Sequence, residues 1–201
     1  MIAIIDYGAG NIKSLQFALD KLNKESVLTT DPQVIRDAAS IILPGVGAFK
    51  DAMDAINEMG LAEVIKKEAA SGKPILGICL GMQLFYERSY EDGDWEGLGL
   101  LKGNVSKIKD TVKVPHMGWN TIAKHQESRL LKDLPEDFYV YFVHSYAVDT
   151  LEETSLVGST QYGGVVPAIV QQGNVTGMQF HPEKSGDVGI KLLQNYEEMI
   201  S

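Results

Sequence analysis

The sequence predicts an α/β fold: a single domain over residues 1–201 with a doubly wound, mostly parallel sheet, helices on both faces, and antiparallel or mixed strands extending it in the second half. Three observations predict this. The first half alternates short apolar runs with segments of helical periodicity in the order β-α-β-α-β-α-α-β-α, the pattern of a parallel sheet with crossover helices. From Gly103 onward the pattern changes to short β-branched and aromatic runs separated by turn residues. The chain, 201 residues and 44% hydrophobic, can bury a full core, and no linker, repeat or low-complexity segment divides it.

In order, Ile2–Ile5 reads as a buried strand ending at Asp6. Tyr7-Gly8-Ala9-Gly10 is a tight turn, and Asn11 is an N-cap for a helix in which Ile12, Leu15, Leu19 and Leu22 share one face. The turn lacks the third glycine of a dinucleotide site and the Gly-Lys-Ser/Thr ending of a P-loop, so it is not read as a nucleotide cradle. Residues 27–29 form a second strand, and Asp31-Pro32 starts a helix with an N-cap and a proline at the first helical position. Ile41-Ile42-Leu43 is a third strand, stopped by Pro44. After Gly45-Val46-Gly47 comes a helix with Phe49, Met53 and Ile56 inward, then a helix over residues 61–71 closed by Gly72. Pro74-Ile75-Leu76-Gly77-Ile78 is a buried fourth strand, and residues 80–88 start as a helix with Met82, Leu84 and Phe85 to bury. The second half offers strands at 105–109, 121–122, 139–148, 156–162, 165–171 and 175–180, with Gly163-Gly164 as a hairpin turn and a closing helix over 187–199. Ligands of such sheets sit at the carboxyl ends of the strands, where residues 6–10, residues 44–47 and Cys79 lie.

Charge and composition exclude several classes. Acidic residues outnumber basic ones by 27 to 18, a net charge of −9, which argues against a non-specific nucleic-acid binder. No apolar run is long enough to span a membrane. The first residues lack a basic segment and read as a strand, not as a secretion signal. A single cysteine excludes an intrachain disulfide framework and points to a reducing compartment, hence the cytoplasm. That cysteine and four scattered histidines match no structural zinc spacing, so neither a metal nor another cofactor is expected.

Gly77-Ile78-Cys79-Leu80-Gly81 sets the only cysteine where a strand turns sharply into a helix, with glycines two before and two after it. This is the layout of a nucleophile elbow. The N–H groups of the helix start would favour a thiolate there. A buried structural cysteine between packing glycines fits the pentapeptide equally well. The second signal is His181-Pro182-Glu183. Proline biases His181 to extended backbone, and residues two apart on an extended chain share a side, so Glu183 can hold the imidazole. A thiol nucleophile needs a base, and the base needs an acceptor to fix its tautomer. Cys79, His181 and Glu183 supply these three roles, and the pair of motifs favours chemistry over packing. His116 and His144 also stand in suggestive contexts, whereas His125 lies in a polar run and reads as surface.

Six segments together resemble those of the class I, triad-type glutamine amidotransferases, and the resemblance covers the whole chain. They are Asp6-Tyr7-Gly8-Ala9-Gly10-Asn11, Pro44-Gly45-Val46-Gly47-Ala48-Phe49, Gly77-Ile78-Cys79-Leu80-Gly81-Met82-Gln83, Pro115-His116-Met117-Gly118-Trp119-Asn120, Tyr141-Phe142-Val143-His144-Ser145-Tyr146 and Gln179-Phe180-His181-Pro182-Glu183-Lys184. Within the family, the segment around Trp119 and the Gly-Val-Gly turn are most similar to the glutaminase subunits of histidine biosynthesis. The resemblance implies that Cys79 attacks L-glutamine, with His181 moving protons and Glu183 orienting it. Backbone N–H groups of Val46 and Leu80 are the implied oxyanion donors. Gly47, Gln83, Glu91, Ser145 and Tyr146 are the implied substrate contacts, Glu91 through its charge on the amino group. It further implies a heterodimer with a (β/α)8 cyclase subunit that consumes the ammonia, docked near Asn11, Trp119, Tyr141 and Lys184. On an extended chain Lys184 would point away from the side that His181 and Glu183 share. The bland alternatives are a surface Gln83, a solvated acidic loop around Glu91, core aromatics at Tyr146, Trp119 and Tyr141, and a solvated Lys184. Two other functions compete: a class I glutaminase subunit serving pyridoxal phosphate synthesis, which Trp119 and its neighbours oppose, and a catalytically silent regulatory subunit, which the intact Cys79, His181 and Glu183 oppose.

Overall fold

The computed structural model describes residues 1–8 and 12–200. Asn11, named above as a helix cap and as part of the docking face, lies outside the described residues, as do Ala9 and Gly10 of the first turn.

The first half runs β1 (Ile2–Ile5), α1 (Ile12–Lys21), β2 (Ser26–Thr29), α2 (Pro32–Asp37), β3 (Ser40–Gly45), α3 (Phe49–Glu58), α4 (Leu61–Ala70), β4 (Ile75–Cys79) and α5 (Leu80–Gln83). The second half is mainly strand: β5 (Arg88–Ser89), β6 (Trp95–Glu96), β7 (Gly103–Lys107), β8 (His116–Thr121), β9 (Ala123–Lys124), β10 (Tyr139–His144), β11 (Tyr146–Leu151), β12 (Leu156–Gln161), β13 (Val165–Gln172) and β14 (Val175–Met178), closed by α6 (Gly186–Ile200). The main sheet has eight strands in the order β2-β1-β3-β4-β14-β13-β12-β9. It is parallel from β2 to β14 and antiparallel beyond. β8 and β10 pair as a separate ribbon, and β11, β7, β5 and β6 form a third, mixed sheet.

Residue alternation on the strands puts helices on both faces. Ala3 and Ile5 of β1 pack with Ile35 of α2, Met53 and Ile56 of α3, and Leu61 and Ile65 of α4. Ile2 and Ile4 face the other way, onto Leu15 and Leu19 of α1 and Leu192, Leu193 and Tyr196 of α6. Such two-sided burial is why the parallel strands read as continuous apolar runs. Local signals hold too: Asp31 accepts from the Gln33 N–H at 2.7 Å and Pro32 opens α2. Gly163 and Gly164 turn β12 into β13 with φ of +66° and +147°.

Four expectations are corrected. The helix after Cys79 is one turn long, not nine residues, because the carbonyls of Leu84, Phe85 and Tyr86 bond the N–H groups of Leu98, Leu101 and Gly99 instead of the next helical turn. The run 139–148 divides at Ser145 into β10 and β11, which belong to different sheets. The strand His116–Thr121 is far longer than the 121–122 expected, since His, Met, Gly and Asn carry little β preference of their own and are held by pairing to β10. The extended chain at His181 ends there: Pro182–Lys184 is a 3₁₀ turn, for which proline at the first position is well suited.

Candidate active site

Cys79 ends β4 with φ +55° and ψ −113°, a left-handed-side conformation uncommon for a residue with a Cβ. The flanking glycines make it possible. A Cβ on Gly81 would overlap the carbonyl oxygen of Leu43 in β3, and one on Gly77 would come within 2.7 Å of the Gly81 carbonyl. The chain therefore doubles back against β3 and lifts the Cys79 side chain to the carboxyl edge of the sheet. The sulfur lies 3.8 Å from the Val143 carbonyl, to which it donates, and 3.8 Å from the Gln179 side-chain nitrogen.

His181 follows β14, the strand beside β4. Its N–H donates to the Tyr141 carbonyl at 3.0 Å, and its own carbonyl accepts from Ser185 Oγ at 2.7 Å. The imidazole Nδ1 is 2.8 Å from Glu183 Oε1, with both side chains buried. Although Pro182–Lys184 is a 3₁₀ turn, Glu183 still reaches the ring. Nε2 makes no hydrogen bond among the described residues, and the Cys79 sulfur lies close enough to the ring to favour its charged form. Burial alone lowers the imidazolium pKa, but the interactions with Cys79 and Glu183 outweigh burial and raise it to about 9.

Beside the sulfur opens a cleft of about 370 Å³. Cys79 and Leu80 line it from the elbow, Val46 and Gly47 from the β3–α3 turn, and Gln83 from α5. Ser145 and Tyr146 close it where β10 passes into β11, and Glu91 borders it from the acidic loop. Pro115, Val143 and His144 complete the lining. All eight cleft residues expected from the sequence thus share one wall system, and Gln83 is buried there, not on a helix surface. Gly47 has φ +101°, which a side chain would resist. Glu91 is anchored by the Phe49 N–H at the start of α3, 2.8 Å from Oε2. Burial raises its pKa, the Phe49 bond opposes this, and Asp92 and Asp51 add to the rise.

Trp119 and Tyr141 lie outside the cleft. They sit opposite each other on β8 and β10, with rings 5.9 Å apart in an edge-on contact. Trp119 is 56% exposed, which excludes a core role for it. Lys184 is exposed and forms no ion pair among the described residues; the 3₁₀ turn, not an extended chain, directs it.

Two residues at the site had no role assigned from the sequence. Gln179 is fully buried and touches the sulfur; the available signal was a polar residue inside the apolar run 175–180. His144, noted from the sequence only as standing in a suggestive context, lines the cleft and bonds the Tyr146 carbonyl at 2.8 Å.

Comparisons with known proteins fit this geometry. The family model described as Glutamine amidotransferase class-I matches residues 3–196. The imidazole glycerol phosphate synthase subunit HisH of Oceanobacillus iheyensis is 69% identical over 200 residues, covering 100% of both chains. The HisH subunit of Bacillus licheniformis is 50% identical, covering 98% of this chain and 96% of that one. A solved structure titled as a glutamine amidotransferase superposes with a TM-score of 0.80 at 19% identity over 99% of this chain and 98% of that chain, a likeness of fold. With the family model spanning nearly the whole sequence and full-length relatives at such identity, the chain belongs to the glutamine amidotransferase class-I family and, within it, to the HisH subunits of imidazole glycerol phosphate synthase.

Proposed function

We propose that this chain hydrolyses L-glutamine to glutamate and ammonia through a thioester on Cys79 and passes the ammonia to a (β/α)8 cyclase subunit, its heterodimer partner in the cytoplasm. The cyclase converts a phosphoribosyl-aminoimidazole-carboxamide ribonucleotide to imidazole glycerol phosphate and the carboxamide by-product AICAR, within histidine biosynthesis. Residues 1–201 act as one amidotransferase domain without a cofactor. The observation that carries this reading is the interaction of Cys79, which lines the cleft, with a His181 ring already bonded to Glu183.

The chemistry follows from that meeting. His181 Nε2 takes the thiol proton as Cys79 Sγ bonds to the side-chain amide carbon of glutamine. The negative oxygen of the tetrahedral intermediate is stabilised by N–H groups, for which Val46 and Leu80 are the candidates. His181 returns the proton to the amide nitrogen, the C–N bond breaks, and ammonia leaves. Water then gives His181 a proton and adds to the thioester, and glutamate leaves as sulfur is reprotonated. Glu183 keeps Nδ1 protonated and the ring aimed. Gly47, Gln83, Ser145 and Tyr146 seat the substrate, and the free oxygen of Glu91 meets its ammonium group. The pyridoxal phosphate alternative is set aside by full-length identity to HisH subunits, and the silent alternative is opposed by the intact Cys79–His181–Glu183 set.

Replacing Cys79 decides the matter. In the assembled synthase, Cys79→Ala is expected to abolish glutamine-dependent synthesis and to spare synthesis from free ammonium. A glutamine-like electrophile should add its mass at Cys79 alone. Glutamine turnover retained in Cys79→Ala would remove the nucleophile from this reading.

A further inference from the structure

Two buried histidines play no part in the proposed chemistry, yet they connect to it. His144 Nδ1 lies 2.8 Å from the Tyr146 carbonyl, which only accepts, so Nδ1 carries the proton. His144 Nε2 is then the acceptor for His116 Nδ1–H at 3.0 Å. His116 Nε2 in turn accepts from the Asn120 side-chain nitrogen at 3.3 Å. Both rings are neutral: burial drops the pKa of His116 to about 4 and that of His144 to about 3. The His116 ring is clamped between Tyr162 and Phe142, with centroids at 3.9 Å and 4.5 Å. From the other side, Gln83 Nε2 donates to the same Tyr146 carbonyl at 2.8 Å and to Gln179 Oε1 at 3.0 Å. Gln179 Nε2 then points at the Cys79 sulfur at 3.8 Å.

Every link has one direction, and the two arms meet on one oxygen. Asn120 lies beside Trp119 on the exposed ribbon, and Cys79 lies at the opposite end. We propose that Asn120, His116, His144, the Tyr146 carbonyl, Gln83 and Gln179 form a single positioning chain that holds the Ser145–Tyr146 wall of the glutamine cleft in register with the Cys79 sulfur. The proposal rests on the assignment of that cleft and sulfur to glutamine hydrolysis. His116 and His144 fix the wall, and Gln179 fixes the sulfur and donates a hydrogen bond to its anionic form. A carbonyl that has lost one of two donors, or a buried histidine that has lost its donor, relaxes by moving backbone. The wall is backbone, so substrate seating suffers before chemistry does.

The test uses the assembled synthase. His116→Phe keeps an aromatic ring in the clamp and deletes the donor to His144. It should raise KM for glutamine about tenfold, with a smaller change in kcat. His116→Asn can present an N–H near the place of Nδ1 and should restore KM to within about threefold of the parent. Gln179→Leu should slow alkylation of Cys79 by iodoacetamide at pH 7 about tenfold, because the thiolate loses a donor. Because both arms act through one carbonyl, the double variant should depart from the product of the two single effects. Nitrogen NMR should show both rings protonated at Nδ1 and bare at Nε2. Unchanged KM in His116→Phe together with unchanged alkylation in Gln179→Leu overturns the chain, as does a His116→Asn no better than His116→Phe. Cys79→Ala separates the two failures: turnover surviving in it overturns the cleft assignment and the chain with it, whereas turnover lost there and unaltered in the other variants overturns the chain alone.

Discussion

At Cys79 and His181, two residues brought together by adjacent parallel strands, the electrostatics set a pH range. The His181 imidazolium formed when the ring takes the thiol proton in the proposed step is held against burial by Cys79 and Glu183, its pKa raised to about 9, so at neutral pH it keeps that proton until the leaving amine takes it. A raised histidine pKa means the charged form dominates below it and is lost above it. Glutamine turnover should therefore fall as pH rises through about 9. Glu183→Gln removes one of the two interactions that raise the pKa, so the alkaline limb should move to lower pH. Its kcat should fall less than in Cys79→Ala, because Glu183 orients the base and moves no proton. A pH–kcat profile of parent and Glu183→Gln checks both; an alkaline limb unmoved by the substitution would give Glu183 another role. The three residue types were legible because each stands in a short motif with its own backbone logic: glycines around Cys79, proline after His181. Gln179 was not, because the segment it opens assigns roles only to His181, Glu183 and Lys184, and only the fold shows what its own side chain meets.

α5 shows how little regular structure the elbow needs. One helical turn follows Cys79, after which Leu84, Phe85 and Tyr86, all fully buried, hand their carbonyls to the 98–101 loop. The tight fit has a measurable cost of disturbance. In Gly81→Ala the new methyl group meets the Leu43 carbonyl of a central strand, which can move only by breaking sheet pairing. Overpacking of this kind costs about 3 kcal/mol. Urea denaturation should show the midpoint falling accordingly, with glutaminase turnover lost even where the chain remains folded; a parent-like midpoint would mean that α5 is free to shift. The parallel half was legible element by element, since strands buried on both faces read as apolar runs and helices carry caps. The strands of the second half were less so. β8 takes its strand from β10, not from its own residues, and the break at Ser145 leaves no turn signature because the chain continues extended into a different sheet.

At the scale of the whole molecule, the main sheet positions Cys79 and His181, and the two smaller sheets supply the facing wall and a ribbon with one exposed side. Alternation on that ribbon turns His116, Phe142 and His144 inward and leaves Met117, Trp119 and Tyr139 at 62%, 56% and 56% exposure. Such a cluster on the outside of a folded chain suits a partner, for which Trp119 and Tyr141 would be the aromatic anchors in the proposed heterodimer. Lys184 belongs to the turn that carries Glu183 and follows His181, whose N–H is bonded to the Tyr141 carbonyl, so the charge is built next to the ribbon and to the His181–Glu183 pair at once. A partner carboxylate meeting Lys184 would be a charge pair at the edge of an apolar contact. Such a pair adds more to encounter and register than to area, and salt weakens it. Lys184→Ala should therefore weaken cyclase binding or cyclase-stimulated glutamine hydrolysis, with the larger deficit at low salt. Unfolding of the free chain should stay within about 0.5 kcal/mol of the parent, since an exposed lysine with no ion pair among the described residues holds little of the fold. Affinity and partner-stimulated hydrolysis, each measured at two salt concentrations, decide it. If Lys184→Ala equals the parent in both at low salt, the cyclase docks on another face, and the exposed ribbon needs a different occupant.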